Sequence, residues 1–411
     1  MTNVLATSSI VAREALAVLE NMTSFAPNVN RDYEDEFGGN MARGYAPGAT
    51  INIKRPPRYT YRAGRVAVPQ ATTETTIPLT LSQGGTDINF NSIERTLSLT
   101  ALNDKLTAAM APVVNEIDRQ GLSLARFSTY NTLNAAGALP TTQALAVQAM
   151  TDVNTRLDIM GAPVKDGRRS FVMGPALNGA MVQGFAGLFN MSERINGQYR
   201  TGYMQDSFGL RPMMDQNVDT HTNGAATATN INGANQTGSA ITVAAIAGGT
   251  LTRGTVITFP GGGGTPVPVN SVNPQSRTDT GQLANFIVTA DALVGATTIN
   301  ISPAIVTSGA FQNVSASPTT GQPYVIVGSA STAYKTNIGF HKDAFTLAMV
   351  PLYQPPARGV LSSEQMSHNG FMLRVVQFYD GVNDNCIFRI DVLFGWAATY
   401  PELATQYRTL T

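Results

Sequence analysis

Between Thr222 and Thr332 the chain carries only four charged side chains, Arg253, Arg277, Asp279 and Asp291, out of the 27 basic and 27 acidic residues in 411. So long a stretch with so little charge must hide its apolar residues in a core or associate, because little in it repels a neighbour. Its β-type runs are short: Ile241–Ala245, Thr255–Phe259, Phe286–Thr289, Thr298–Ile301 and Tyr324–Val327. Turn chemistry separates them at Gly248-Gly249, Pro260 to Gly264, Asn273-Pro274 and Ser302-Pro303. Short strands punctuated by Gly and Pro predict a small antiparallel barrel or sandwich. The flanks differ in kind, so residues 222–332 read as a module inserted into another domain.

The flanks mix helix and strand periods. Ser9 to about Met22 reads as an amphipathic helix, followed by an acidic cluster, Asp32, Glu34, Asp35 and Glu36. From Thr50 to Leu99 apolar residues alternate at Ile51/Ile53, Val66/Val68, Ile77/Leu79/Leu81 and Ile88/Phe90, with Gly84-Gly85 as a turn. This is an extended, hairpin-like excursion. Thr100 is placed to cap a helix to about Leu133, whose stripe runs through Leu102, Leu106, Met110, Val113, Ile117, Leu124 and Phe127. At about 1.5 Å per residue such a helix is about 45 Å long. Pro112 inside it removes one backbone donor, and a kink is expected there. A second helix covers Thr142 to Met160 through Leu145, Ala149, Val153 and Leu157, and ends at Gly161-Ala162-Pro163. Ser170–Met173 reads as a buried strand and Pro175 to about Phe185 as a helix. After the module come a strand at Phe345–Val350 and a pair at Phe371–Tyr379 and Cys386–Trp396. In the last, Phe388, Ile390, Val392 and Phe394 face one side, while Arg389 and Asp391 face a wet or partner-covered one.

Composition removes several function classes. Zero net charge disfavours a dedicated nucleic-acid binder, whose affinity comes from a surplus of Lys and Arg. A single cysteine, Cys386, permits no internal disulfide, suits a reducing compartment, and excludes multi-cysteine metal sites. His221, His341 and His368 lie far apart, and His368 reads as a loop residue. Asp152 and Asp158 point to different faces of their helix, a poor acid–base pair. No Gly-x-Ser-x-Gly elbow occurs, and Gly261 to Gly264 lacks the Lys-Ser/Thr ending of a phosphate loop. No apolar stretch approaches the about 20 residues of a membrane span, and Arg13 and Glu14 interrupt what a signal peptide would need. The expectation is a cytoplasmic, non-enzymatic protein with no cofactor and no metal.

The sharpest local feature is a basic run, Lys54, Arg55, Arg58, Arg62 and Arg65, without a carboxylate among them. Pro56, Pro57, Tyr59 and Tyr61 between the cations make it an extended arm. Three readings stand: contact with another protein, including the acidic Asp32–Glu36 segment of a neighbouring copy, a solvated face, or nucleic acid. The loop around Arg277 and Asp279 is likewise a partner contact or a solvated turn.

The order of these elements resembles a tailed-phage major capsid protein of the Hong Kong 97 fold, of the P-twenty-two type with an inserted domain. Within the module, Leu251-Thr-Arg253-Gly254-Thr-Val-Ile-Thr-Phe259 and Ala296-Thr-Thr-Ile-Asn-Ile-Ser-Pro303 resemble two barrel strands of that family. Phe388-Arg-Ile-Asp-Val-Leu-Phe-Gly-Trp-Ala-Ala-Thr-Tyr-Pro-Glu402 resembles its closing segment, and His341-Lys-Asp343-Ala344 its return into the core domain. The resemblance implies an α+β, Hong Kong 97-like capsid fold with an inserted all-β, barrel-like domain. Its parts would be an N-terminal helix and arm (1–49), an E-loop (50–99), and a spine helix with the first part of the peripheral and axial core (100–221). The inserted domain (222–332) and the returning core with the C-terminal strands (333–411) would follow. The family's long, charged D-loop corresponds to Asn230–Ser239, which is short and uncharged here. By the same resemblance, copies would form pentamers and hexamers of an icosahedral shell around double-stranded DNA, assembled in the host bacterial cytoplasm. A scaffolding protein, a portal protein and, in some shells, a decoration protein would be partners. The DNA would be held only non-specifically, with no membrane involved.

Overall fold

The computed structural model describes residues 23–33, 50–67, 69–72, 74–91, 102–185, 208–261, 267–355, 360–368 and 371–411. The expected N-terminal helix, Glu34 to Glu36, Val68, the Thr100 cap and Gly262 to Gly264 lie outside these residues. In chain order the elements begin with β1 (Thr50–Arg55), β2 (Thr75–Thr80), β3 (Ser82–Asn91), α1 (Leu102–Ser128), β4 (Thr132–Leu133), α2 (Gln143–Ile159), β5 (Arg169–Met173) and α3 (Pro175–Phe185). Then come β6 (Arg211–Met214), β7 (Thr220–Thr222), β8 (Gly238–Thr242), β9 (Val256–Thr258), β10 (Asn270–Val272), β11 (Asp279–Leu283), β12 (Asn285–Val288), β13 (Thr298–Ile305) and β14 (Val325–Ile326). The chain closes with β15 (Ala333–His341), β16 (Phe345–Met349), β17 (Ser362–His368), β18 (Phe371–Asp380), β19 (Asn385–Ala398) and β20 (Ala404–Leu410). The result is α+β, and it forms two compact units: residues 1–53, 76–121 and 345–397, and residues 54–75, 122–344 and 398–411.

The first unit is organised by β19, the longest strand. It pairs antiparallel with β18 and along its length with β3, in a sheet ordered β16-β19-β18-β17 with β3 on β19. Phe388, Ile390, Val392 and Phe394 are buried as their alternation requires. Asp391, expected on a wet or partner-covered face, is buried within the unit: Arg374 and Arg389 donate to its carboxylate, at 2.5 Å and 2.9 Å. Gly84 and Gly85 are not a turn. They sit inside β3 opposite Val392 and Asp391, where the backbones come so close that a Cβ on Gly85 would lie 2.2 Å from the Ile390 carbonyl oxygen. His368, read as a loop residue, is the last residue of β17, in register with Phe371.

The first part of α1 belongs to this unit. Met110, Val113, Val114 and Ile117 form its buried stripe, and the Trp396 indole donates to the Ile117 carbonyl at 3.1 Å. Trp396 also stacks on Phe25, with ring centroids 5.2 Å apart, and a Cβ on Gly121 would fall 2.6 Å from the indole. Three residues before Gly121, the buried Asp118 accepts the backbone N–H groups of Ser24, Phe25 and Ala26 at 2.7–3.2 Å. It satisfies donors at the start of the short 3-10 turn Ala26–Asn28, in the manner of an N-cap supplied from a distance. The helix continues through Pro112 and stops at Ser128, five residues short of the expected Leu133, because residues 132–133 leave it to pair with β20.

The second unit is built on a sheet ordered β4-β20-β15-β5-β6, with β7 also on β15. Its central strands β15 and β20 pair antiparallel over seven residues. Neither is legible as a strand by hydrophobic alternation, because their polar residues are buried rather than turned to water: Thr336, Asn337, Thr405, Gln406, Arg408 and Thr409. Each is held by partners. Asn337 accepts from the Gly174 N–H at 2.8 Å and donates to the Tyr407 carbonyl at 2.9 Å, and Gln406 donates to the carbonyls of Arg126 and Thr129. On one side α2 and α3 cover the sheet with Ala146, Met150, Val153, Leu157, Leu177, Met181 and Phe185. Thr142, expected as the first helical residue, is instead the cap of α2, Gly161 closes it at φ +79°, and Leu145, expected on the buried stripe, is exposed while Ala146 takes that place.

Within residues 222–332 all five β-type runs lie in one antiparallel sheet, ordered β14-β9-β12-β13-β8. Ile241, Val243, Ile257, Phe259, Phe286, Val288, Ile299, Ile301 and Tyr324 form a core drawn wholly from this stretch. Ser302-Pro303, expected as a turn, is a cis peptide inside β13, where the register with β8 shifts. The short 230–239 segment folds back on the β8 edge. The Gln236 amide both accepts the Thr242 N–H and donates to the Thr242 carbonyl, at 2.6 Å and 2.8 Å, covering a strand edge that would otherwise be open. The β10–β11 hairpin reaches α2, with the Asn273 amide donating to the Ile159 carbonyl at 2.8 Å.

The contrast between the two adjacent glycines of β3 can be tested. Gly85→Ala should destabilise the fold by about 2–3 kcal/mol, the range for overpacking against backbone. Gly84→Ala has its nearest neighbour at 3.9 Å and should change stability by no more than about 0.5 kcal/mol. Urea unfolding of both variants measures the difference.

Candidate functional site

The basic run forms the first half of a closed loop, residues 54–75, which leaves and re-enters through the paired strands β1 and β2 and whose described residues beyond them are joined across the loop by side chains. Lys54 meets Glu74 at 3.1 Å, the Tyr59 hydroxyl meets Thr72 Oγ1 at 3.0 Å, and the Gln70 amide both accepts the Thr60 N–H and donates to the Thr60 carbonyl at 2.7 Å. At the tip the Arg62 guanidinium donates to the carbonyls of Gly64 and Val66. This irregular loop replaces the expected alternation through Val66. Tyr61 and Val66 are 91% and 80% exposed, and Arg62 and Arg65 flank them.

Proximal to the tip the cations are committed elsewhere. Arg55 donates to both carboxylate oxygens of Glu402 at 2.8 and 3.0 Å, and Arg58 donates to one of them at 2.7 Å. The Glu402 side chain is 12% exposed, on the 3-10 turn Pro401–Leu403 that leads into β20. Arg55 lies over the Tyr400 ring and Arg58 over the Phe311 ring, so both guanidinium planes are covered by aromatics. Burial, and after it the Glu402 carboxylate, push the Tyr130 hydroxyl far above its ordinary range. The expected loop around Arg277 and Asp279 lies alongside: Arg277 donates to the Tyr59 carbonyl at 2.7 Å and to the Ala310 carbonyl at 3.2 Å. Asp279 accepts instead from Asn270 and from the Gly281 N–H. Asp32 is exposed, its N–H donating to Asn30.

The structure therefore gathers Arg55, Arg58 and Arg277 around the 54–75 loop and leaves Arg62 and Arg65 at its tip. Their carboxylate partner, Glu402, was quoted in the sequence only as the end of a closing motif. Nothing in the local sequence marks it as a charge partner, since it is more than 340 residues away.

Several other titratable groups among the described residues have structural partners. The single cysteine is buried, with the Gln377 amide donating to its sulfur at 3.0 Å. Asp158 pairs with Arg169 at 2.7 Å, and burial raises the Asp152 carboxyl. His341 lies 2.7 Å from the Asp166 carboxylate and accepts the Asp343 N–H. No group of three His, Cys, Asp or Glu side chains suited to a metal ion occurs among the described residues, and none of their helices is long and apolar enough to cross a membrane. His221, in β7 at the root of the 222–332 module, is buried against Thr255. Burial, then the nearby Arg408 and Arg126, push its imidazole down to about 3.

The family described as "P22 coat protein - gene protein 5" matches residues 86–407. No curated protein matches the chain. Among solved structures, one of Mycobacterium phage Che8 is 12% identical, with a TM-score of 0.48, over 94% of this chain and 91% of that one. "Capsid structure of the Cyanophage P-SCSP1u" is 10% identical, with a TM-score of 0.42, over 89% and 84%. "Capsid of empty GTA particle computed with C5 symmetry" is 10% identical, with a TM-score of 0.40, over 100% and 93%.

His221 makes stability at the module's root pH-dependent. Its folded value lies below its ordinary value of about 6.5, so the unfolded chain takes up a proton that the native one refuses. Stability is full above pH 6.5 and should fall by about 1.4 kcal/mol per pH unit from there towards 3. His221→Gln should flatten this slope between about pH 6.5 and 5, before most carboxylates titrate, as read from urea midpoints against pH.

Proposed function

This chain belongs to the P22 coat protein family, and from that premise we propose that its copies assemble as pentamers and hexamers into the icosahedral shell of a tailed phage. That it is a capsid shell protein rests on one observation: the family match runs from β3 to β20, through both units and the inserted module. Assembly would be guided by a scaffolding protein, a portal would occupy one vertex, and decoration proteins are a further class of partner. Zero net charge suits a container that must not grip its DNA. It also suits subunits that meet over broad faces, since like-charged surfaces repel on approach.

In this reading the 54–75 loop is the E-loop tip and lies over an adjacent copy. What supports it is the exposure of Tyr61 and Val66 beside Arg62 and Arg65, a rim of cations around apolar side chains. The spine is α1, about 40 Å long, and expansion on maturation would tilt it, with Pro112, which lacks a backbone donor, as the expected point of bending. Residues 222–332 are the inserted domain, and the folded-back 230–239 segment does not extend as a long D-loop would.

Electron microscopy of the expressed chain, alone and with the scaffolding protein of its own phage, tests the assignment. Uniform shells are expected, and persistent monomers under both conditions would overturn it. Arg62→Glu with Arg65→Glu should reduce shell yield by about tenfold while leaving the circular dichroism of the monomer unchanged. Normal yield would return these cations to the status of a solvated face.

A further inference from the structure

We infer that Glu402 is the anchor that sets the position of the 54–75 loop, and so a positioning residue for the contact that this loop makes with a second copy. The inference rests on the coat-protein reading for the second copy, and on geometry for the anchor. Three cross-loop contacts, Lys54–Glu74, Tyr59–Thr72 and Thr60–Gln70, tie the two arms of the loop to each other. None of them ties the loop to the body of its unit. Attachment comes at the root, where the chain enters and leaves through the paired strands β1 and β2 and where Arg55 and Arg58 converge on Glu402, with a supporting bond from Arg277 to the Tyr59 carbonyl.

A loop braced within itself but held at one end moves as a lever about that end. Its tip, with Tyr61 and Val66 exposed, is placed by whatever fixes the root. Glu402 is suited to this. It is nearly buried, it accepts three charge-assisted hydrogen bonds from two guanidinium groups, and it sits on a 3-10 turn continuous with β20, the second strand of the unit's main sheet. The two cations share one carboxylate, so neither arginine can take over the role of the other, and removing the acid leaves both without their anion. A tip fixed before association loses less conformational freedom on docking, which favours assembly at lower subunit concentration.

The test reads the free subunit and the shell separately. Cys386, the only cysteine, is buried. Spin labels can therefore be placed on two introduced thiols, Ala63→Cys near the loop tip and the exposed Ser276→Cys on the body. The unmodified anchor should give a narrow distance distribution. Glu402→Gln should broaden it about twofold or more, and should raise the subunit concentration needed for shells about tenfold. Arg55→Gln with Arg58→Gln approaches the contact from its more exposed side, in case Glu402→Gln folds poorly, and should give the same pair of changes. Adding Glu402→Gln to that double variant should add nothing further, since all three changes remove one interaction. An unchanged distribution in both variants, or a broadened one with an unchanged shell threshold, would overturn the inference. Failure of the unmodified chain to form any shell would instead overturn the coat-protein reading, while the distance distribution still decides whether Glu402 holds the loop.

Discussion

Much of the second unit depends on the pairing of β20 with β15. Seven residues at the very end of the chain, Ala404–Leu410, run antiparallel to Phe340–Tyr334 in the middle of the sheet. This pairing carries the C-terminal segment across the base of the 222–332 module and past the end of α1. Arg408 reaches the Val327 carbonyl there, and Gln406 bridges to Arg126 and Thr129. It also places Glu402, at the entrance to β20, against the root of the 54–75 loop. Long-range antiparallel pairing of this kind closes a large loop of chain and must be repaid by dense contacts, which the buried amides and hydroxyls of both strands supply.

The molecule handles its charges by concentrating donors on buried acceptors. Asp118 receives three backbone N–H groups, Asp391 two guanidinium groups, and Glu402 two more. A carboxylate removed from water is tolerated only when so surrounded. Buried cations follow the complementary rule: Arg156 donates to Asn131 and Gln282, while burial lowers Arg408 to about 10 beside carbonyl oxygens. Only 13% of the residues are charged, and several of these charges are satisfied within one copy. For a subunit of a closed shell this is an advantage, because several faces must approach several neighbours without repulsion.

Residues 222–332 illustrate how a charge-poor stretch can build a core largely from its own side chains. Its apolar residues pack on each other, its open strand edge is covered by the Gln236 amide, and its hairpin β10–β11 is fixed to the end of α2 through Asn273. His221 and Arg408 lie where the module leaves the sheet, so its root is a place where burial of polar groups sets conditions on stability.

What the sequence determined by itself is the set of elements whose signal is local. The five short runs of the module, α2 with its Gly161 stop, β5, α3 and the β18–β19 hairpin all follow from periodicity and turn residues close at hand. The order of those elements and the motif ending in Pro401-Glu402 were enough to suggest the family. Only the tertiary structure decided the rest, and for one reason: the deciding interactions join residues far apart in the chain. Gly84-Gly85 read as a turn but lie in β3, paired with a strand 300 residues away whose backbone leaves no room for a side chain at Gly85. β15 and β20 escaped notice because alternation marks a strand with one wet face, whereas these bury polar residues among partners that no local pattern reveals. The basic run was plain in the sequence, yet its division into an anchored root and a presented tip was not. That division depends on where β20 delivers one carboxylate.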